Sequence, residues 1–232
     1  MVRWLPRIGI ALCAILIPLA TISTVVLNLF SDSSYYHAGE VRYQVAPVTG
    51  YRQDQLDRVD DGIVRFFEGS ETLPAAIGAV GGPSDIFSER ASLHMDDVRG
   101  VIRAFGLTQK ISLLVVGVLA ILGAIQWSRG GRFAISRALV YSSIVTVLLG
   151  LIAVALTFVG FDSLFIRFHE LVFHNDYWQL DPLTDHLVQM FPFEFWYDAM
   201  LVLALRIVLV TVALGGIGLS LGWSGSRSRR QA

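Results

Sequence analysis

Four long apolar runs divide the sequence, and two extended polar regions lie between them. The runs cover residues 8–29, 111–127, 138–159 and 199–223. A helix of about 22 residues is roughly 33 Å long, which is enough to cross the hydrocarbon core of a bilayer. The pattern therefore predicts an all-α membrane protein with four transmembrane helices.

The polar regions, residues 30–110 and 160–198, are predicted to form a mostly helical cap. Apolar residues recur at helical spacing from Gln53 to Glu68, which indicates an amphipathic helix. Residues 28–49 are polar and rich in Ser, Tyr and Val, which favours a loop or short strands.

Local signals set the expected helix boundaries. Ser84 or Ser88 is expected to cap a helix that continues through Phe105, and Gly100 and Gly106 indicate a bend before the second span.

The second polar region carries two further signals. Asp181 followed by Pro182 predicts a helix start. Five aromatic residues are expected to form a belt at the outer end of the fourth span. They are Phe191, Phe193, Phe195, Trp196 and Tyr197.

The charge distribution predicts the orientation. The N-terminus, the 128–137 turn and the 224–232 tail contain eight arginines and no acidic residue. The positive-inside rule places all three in the cytoplasm. Residues 30–110 and 160–198 are then expected on the outer face of one membrane domain, residues 1–232.

Composition agrees with a membrane protein and excludes several site types. The chain is 54% hydrophobic and 16% charged, with a mean hydropathy of +0.59. Its single cysteine, Cys13, rules out an internal disulfide or a CxxC motif, and no GxSxG elbow is present. A signal peptide is the competing interpretation of residues 8–29, but the apolar run is long for one.

The candidate chemistry lies in the polar regions, which hold the histidines. The stretch from Phe161 to Trp178 carries His169 and His174 beside an apolar run, where ionisable groups are costly unless they have a role. On the other polar region, Asp97 follows His94 by three residues, so it is expected to fix the His94 tautomer and raise its basicity. A structural interfacial histidine is the plainer alternative at both positions.

The letters HELVFH (169–174) invite comparison with a zinc protease, which requires HExxH on one helix. His169 and His174 are five residues apart, about 140° around a helix, so they cannot bind one ion unless the helix ends between them. A metal site is disfavoured on this spacing but stays open.

Three further residues are candidate supporting groups. Arg206 lies within the fourth span, where it is expected to contact substrate, pair with an acid or reach a lipid headgroup. Asp176 and Trp178 are candidates by proximity to His169, although a turn cap and a belt aromatic are the simpler interpretations.

Three segments resemble signature segments of the bacterial lipoprotein intramolecular transacylases. They are LHMDDV (93–98), FHELVFHNDYW (168–178) and MFPFEFW (190–196). The resemblance implies that an acyl chain moves from the sn-2 position of a lipoprotein's diacylglyceryl group to the α-amine of its N-terminal cysteine. It also implies catalytic roles for His94 and His169, whereas His174 has no counterpart.

This chemistry fits two imidazoles acting as base and acid, and it requires no enzyme nucleophile. We therefore expect an acyltransferase of the bacterial cytoplasmic membrane, active on the outer face, with a diacylated lipoprotein as substrate, membrane lipid around it, and no cofactor, metal ion or nucleic-acid partner. The alternatives are a metal-dependent membrane hydrolase, and a non-enzymatic scaffold or sensor with an acidic outer domain.

Overall fold

The computed structural model describes residues 5–126 and 130–230, and the side chains within 7–126 and 130–223. Its regular secondary structure is entirely α-helical within these ranges. The helices are α1 (Leu5–Phe30), α2 (Ser33–Arg42), α3 (Val45–Thr49), α4 (Gln53–Glu68), α5 (Leu73–Ala79), α6 (Glu89–Ile125), α7 (Gly131–Val172), α8 (His186–Met190) and α9 (Phe193–Arg230). Arg3, Arg129 and the tail arginine side chains, on which the orientation prediction partly rests, lie outside the described residues.

Four helices are long and apolar enough to cross a membrane: Arg7–Phe30, Glu89–Ile125, Gly131–Val172 and Phe193–Trp223. Large apolar side chains stay exposed along them, among them Leu114, Ile125 and Leu148. Such a surface is stable in lipid and not in water. The prediction of an all-α membrane protein with four spans is confirmed.

The chain forms two compact units, and the first consists of residues 1–25, 105–155 and 203–232. We call it the span unit. Its buried cluster contains Cys13, Ile17 and Ala138. The Ser136 hydroxyl donates a hydrogen bond to the Gly218 carbonyl oxygen at 2.7 Å, which is the kind of small-residue, polar contact that joins helices in membranes.

The second unit, residues 26–104 and 156–202, contains all five histidines and is called the histidine unit. Its core is built on α4, whose Leu56, Val59, Ile63 and Phe66 are buried. The spacing of these residues places them on one helix face, and α4 has the predicted bounds, Gln53–Glu68.

The prediction of a loop or short strands over residues 28–49 is wrong, because α2 and α3 occupy most of it. The polar composition of this stretch did not predict a helix. In the structure, however, Tyr36 and Glu40 are buried, and the centroid of the Tyr36 ring lies 5.6 Å from that of Phe191. Tertiary packing of one face therefore stabilises a helix that its composition does not favour.

Other boundaries also differ from expectation. Helix α6 runs without interruption past Gly100 and Gly106, so neither glycine ends the helix. Asp181 caps a turn, accepting the Leu183 N–H, and the helix begins later, at His186.

The predicted aromatic belt is also wrong in part. Phe191 and Phe195 are 6% and 2% exposed and belong to the histidine-unit core.

The 128–137 turn is shorter than expected, since α7 begins at Gly131.

Candidate active site

His94 lies in the second turn of α6, and the start of that helix is fixed by a cap. The Ser88 hydroxyl oxygen accepts the Ala91 N–H at 3.1 Å and donates to an Asp185 carboxylate oxygen at 2.8 Å. Ser88 was one of two caps predicted for this helix. The cap anchors the end of α6 that presents His94.

His169 lies near the end of α7, beyond an interruption. Gly160 has φ 174° and ψ 75°, which breaks the helical geometry between the apolar run and the segment that carries His169. Helix α7 then ends at Val172, so His169 is helical while His174 lies past the end and is exposed.

The structure brings His94 and His169 together although 75 residues separate them in sequence. Their ring centroids are 5.9 Å apart, with 37° between the ring planes. Each residue is only 8% exposed. Burial favours the neutral form of an imidazole, since the charged form loses hydration.

Aromatic rings surround the pair. Phe173 contacts both histidines, with its centroid 5.0 Å from His94 and 5.4 Å from His169. The Trp178 and Phe165 rings lie 5.1 and 4.2 Å from His169. The imidazoles are therefore held by apolar walls, with few competing hydrogen-bond partners.

One hydrogen bond assigns the tautomer of His169. Its Nδ1 lies 2.7 Å from the Phe165 carbonyl oxygen. A carbonyl oxygen only accepts, so Nδ1 must carry the proton and donate it. In the neutral imidazole, Nε2 is then left with a lone pair, which is the form required of a general base.

The expected Asp97–His94 hydrogen bond is not formed. The buried Nδ1 of His94 has no hydrogen-bond partner within the described part of the chain, and Asp97 instead accepts a hydrogen bond from Asn175 at 2.8 Å. The three-residue spacing places Asp97 on the side of α6 nearest the chain that follows α7. The Asn175 amide lies there and donates the hydrogen bond to the Asp97 carboxylate.

The structure places the other predicted residues as follows. Trp178 packs against His169. Asp176 forms an ion pair with Arg90 at 3.2 Å. Arg206 is half-buried on α9 and belongs to the span unit. Supporting roles for these residues and for Asp97 stay predictions.

Helix α7 does end between His169 and His174, which was the condition for a metal site there. Among the described residues, however, no group of three or more His, Cys, Asp or Glu side chains has an arrangement that would hold an ion. The expectation that catalysis uses no metal stays a prediction.

Sequence reasoning missed Phe173, Arg90 and Asn175. Phe173 and Asn175 lie inside the Phe161–Trp178 stretch. Their contacts with α6 can be predicted only if it is known that the chain turns back after Val172. An asparagine just past a helix end is a signal for such a turn, because its side chain bonds nearby backbone.

The sequence matches a known protein family. Residues 11–196 match the sequence model of the family described as "Lipoprotein intramolecular transacylase Lit". A relative from Aquifex aeolicus (strain VF5), named "Uncharacterized protein", is 32% identical over 136 residues, 56% of this chain. The chain spans 57% of the length of that relative.

Solved structures share the fold. The membrane integral lipoprotein intramolecular transacylase Lit from Bacillus cereus matches with a TM-score of 0.82 and 17% identity, over 98% of this chain and 99% of that one. A histidine-to-arginine variant of the same protein matches with a TM-score of 0.78 and 17% identity, over 97% and 95%. Because the family match extends over most of the chain, the protein belongs to the lipoprotein intramolecular transacylase family.

Proposed function

We propose that the protein moves an acyl chain within a diacylated lipoprotein, from the sn-2 ester of the diacylglyceryl group to the α-amine of the N-terminal cysteine, and that His94 and His169 transfer the proton. The observation that carries this proposal is the close pairing of two buried imidazoles, one of defined tautomer, from distant parts of the sequence. The family match supports the substrate class.

His169 is the base in this proposal. As the amine attacks the ester carbonyl carbon, a C–N bond forms and the amine must lose a proton. The Nε2 lone pair of His169 accepts it, because Nδ1 is already committed to the Phe165 carbonyl oxygen.

His94 delivers the proton to the leaving group. When the C–O bond of the ester breaks, the glycerol oxygen leaves as an alkoxide and must gain a proton. The proton taken by His169 passes to His94, whose ring centroid lies 5.9 Å away, and from there to the glycerol oxygen. One proton leaves nitrogen and one reaches oxygen, so both histidines end neutral.

Neutral resting histidines agree with the surroundings of the pair. Each residue is 8% exposed and is walled by apolar rings, where a permanent positive charge is unfavourable. Nucleophile and ester belong to one substrate, so the mechanism needs no serine or cysteine. The arginine distribution supports an outer-face location of the site, with both termini in the cytoplasm.

The test is to express the full chain with a diacylated lipoprotein and to read the lipoprotein N-terminus by mass spectrometry. We expect the N-acylated lyso-form with the wild type and its loss, by about 100-fold or more, in His94→Ala and His169→Ala.

His174→Ala is the matched control, because this exposed histidine lies outside the ring cluster and should retain activity. The proposal fails if the amine is never acylated, or if the two buried-histidine variants perform like the control.

A further inference from the structure

A short segment after α7 closes over the histidine pair, and side-chain contacts with α6 hold it there. We call residues 173–178 the rim segment. Its two ends carry ring contacts to the site: Phe173 packs on both histidines and Trp178 packs on His169. The position of this segment therefore sets the wall of the site.

Two contacts attach the rim segment to α6, one on each side of His94. The Asn175 side-chain N–H donates to an Asp97 carboxylate oxygen at 2.8 Å. Arg90 pairs with the Asp176 carboxylate at 3.2 Å and also donates to the Asp176 backbone carbonyl oxygen. Arg90 precedes His94 by four residues and Asp97 follows it by three, so all three share one helix face.

The Asn175 amide has a single orientation that satisfies its neighbours. Its oxygen accepts the Tyr177 N–H at 3.1 Å, which leaves its N–H group to donate to Asp97. Because a carboxylate only accepts, the amide cannot be turned over without losing both hydrogen bonds. Asn175 thereby couples the turn of the rim segment to α6.

We propose that Asp97 and Asn175 are positioning residues of the acyl transfer: their hydrogen bond fixes the rim segment to α6 and so sets the separation of His94 and His169. This inference rests on the proposed function. It assigns the main contribution of Asp97 to a mechanical role through Asn175. The Asp97 charge also acts on His94 through space, although the two residues form no hydrogen bond.

The two roles predict different results for one substitution. Asp97→Asn removes the charge but keeps an oxygen that accepts from Asn175. An electrostatic role would be lost in this variant, whereas a positioning role survives. Asn175→Asp places two carboxylates against each other, which should separate the rim segment from α6.

Exchanging the two residues restores the bond. In Asp97→Asn with Asn175→Asp, one aspartate oxygen at 175 accepts the Tyr177 N–H and the other accepts the side-chain N–H at 97. The hydrogen bond is rebuilt with donor and acceptor reversed, and the charge has moved off α6.

The experiment uses the full chain in phospholipid vesicles and a synthetic peptide whose N-terminal cysteine carries a diacylglyceryl group. The rate of N-acylation is followed by mass spectrometry. We expect Asp97→Asn to lose at most about threefold, Asn175→Asp to lose about 10- to 100-fold, and the exchanged double variant to recover to within about threefold of Asp97→Asn.

Asp96→Asn is the matched control, since Asp96 pairs with Arg99 on the same helix and does not touch the rim segment. It should keep the wild-type rate. Melting temperatures of all variants should agree within a few degrees, because a single exposed hydrogen bond contributes little to the free energy of unfolding.

The inference is overturned if the double variant is as slow as Asn175→Asp, or if Asp97→Asn is equally slow. Should Asn175→Asp not fold, Asp97→Ala and Asn175→Ala replace it: a double alanine variant no slower than either single one supports the coupling, and additive losses contradict it. Wild-type activity that needs neither histidine would instead refute the proposed function.

Discussion

The His94–His169 pair and the Glu40–Asp60 pair are both buried in the histidine unit, yet their surroundings differ. Aromatic rings wall the imidazoles, and one of the two nitrogens of His169 is hydrogen-bonded to a backbone carbonyl. The carboxyl pair lies between α2 and α4 among other acids, with Glu40 1% and Asp60 0% exposed.

Burial also disfavours the charged form of the two acids. It raises the pKa of Glu40 from 4.5 to about 7, and burial together with Glu40 raises the pKa of Asp60 well above its usual value. Asp57 adds to both effects, and the His37 ring lies 3.7 Å from Asp60. With one proton between them, the Glu40 and Asp60 carboxyls share a side-chain hydrogen bond.

The contrast separates two uses of a buried titratable pair. An imidazole becomes neutral by releasing a proton, so a buried neutral imidazole keeps a lone pair for proton transfer and opposes folding only at acidic pH. A carboxyl is neutral only if it holds a proton, so a buried carboxyl opposes folding as the pH rises toward neutrality. The following predictions test whether chemistry and stability are divided between the pairs in this way.

The largest expected effect on stability comes from pH acting on Glu40. Its folded-state pKa lies above its unfolded value, so its contribution is fully present below about pH 4.5 and is lost as the pH rises through about 7. Across this window the wild type should lose up to about 3 kcal/mol relative to Glu40→Gln, which cannot ionise. Thermal unfolding in detergent at a series of pH values measures the difference.

Glu71→Gln serves as the control, since Glu71 is in an exposed pair with Arg65 and should leave the melting temperature nearly unchanged. Glu40→Gln should still catalyse N-acylation. If the stability of the wild type and that of Glu40→Gln depended on pH in the same way, the raised pKa of Glu40 would be contradicted. If Glu40→Gln lost activity but not stability, Glu40 would have a role in catalysis, and the contrast with the histidines would fail.

The sequence predicted the fold wherever hydrophobic periodicity was strong. The four spans and α4 follow directly from it. The helices within residues 28–49 were not predicted, because they depend on burying Tyr36 and Glu40 against distant residues such as Phe191. A buried glutamate in a polar stretch gives no local signal, so the acid pair could not be predicted either.

The sequence was enough to predict which residues belong to the candidate site, but not which residues contact each other there. His94 and His169 were singled out by type, topology and resemblance, and the structure brings their rings together. The partner of Asp97 was not predictable, because intrahelical spacing favoured His94 whereas the chain reversal after α7 supplied Asn175 from 78 residues away.

Packing between α4 and α5 gives the next effect. A Cβ at Gly62 would lie 2.6 Å from the Ile77 backbone Cα, so Gly62→Ala must displace α5 from α4. We expect destabilisation of about 1–3 kcal/mol, despite the better helix propensity of alanine. Gly100→Ala is the matched control, with open space around its Cβ. Melting temperatures compare the two, and a Gly62→Ala protein as stable as Gly100→Ala contradicts the packing argument.

The smallest expected effect concerns Trp178, whose ring packs 5.1 Å from that of His169. Trp178→Phe keeps an aromatic wall of smaller area, so the acylation rate should fall about two- to tenfold, the equivalent of one aromatic contact of roughly 0.5–1.5 kcal/mol. Trp196→Phe is the counterpart, because Trp196 packs on Phe30, Phe191 and Phe195 in the core. It should lower the melting temperature and spare the rate of the folded protein. If both substitutions changed only stability, the aromatic rings around His169 would serve as part of the hydrophobic core. A role in catalysis would then be limited to the two imidazoles and would not include the rings around them.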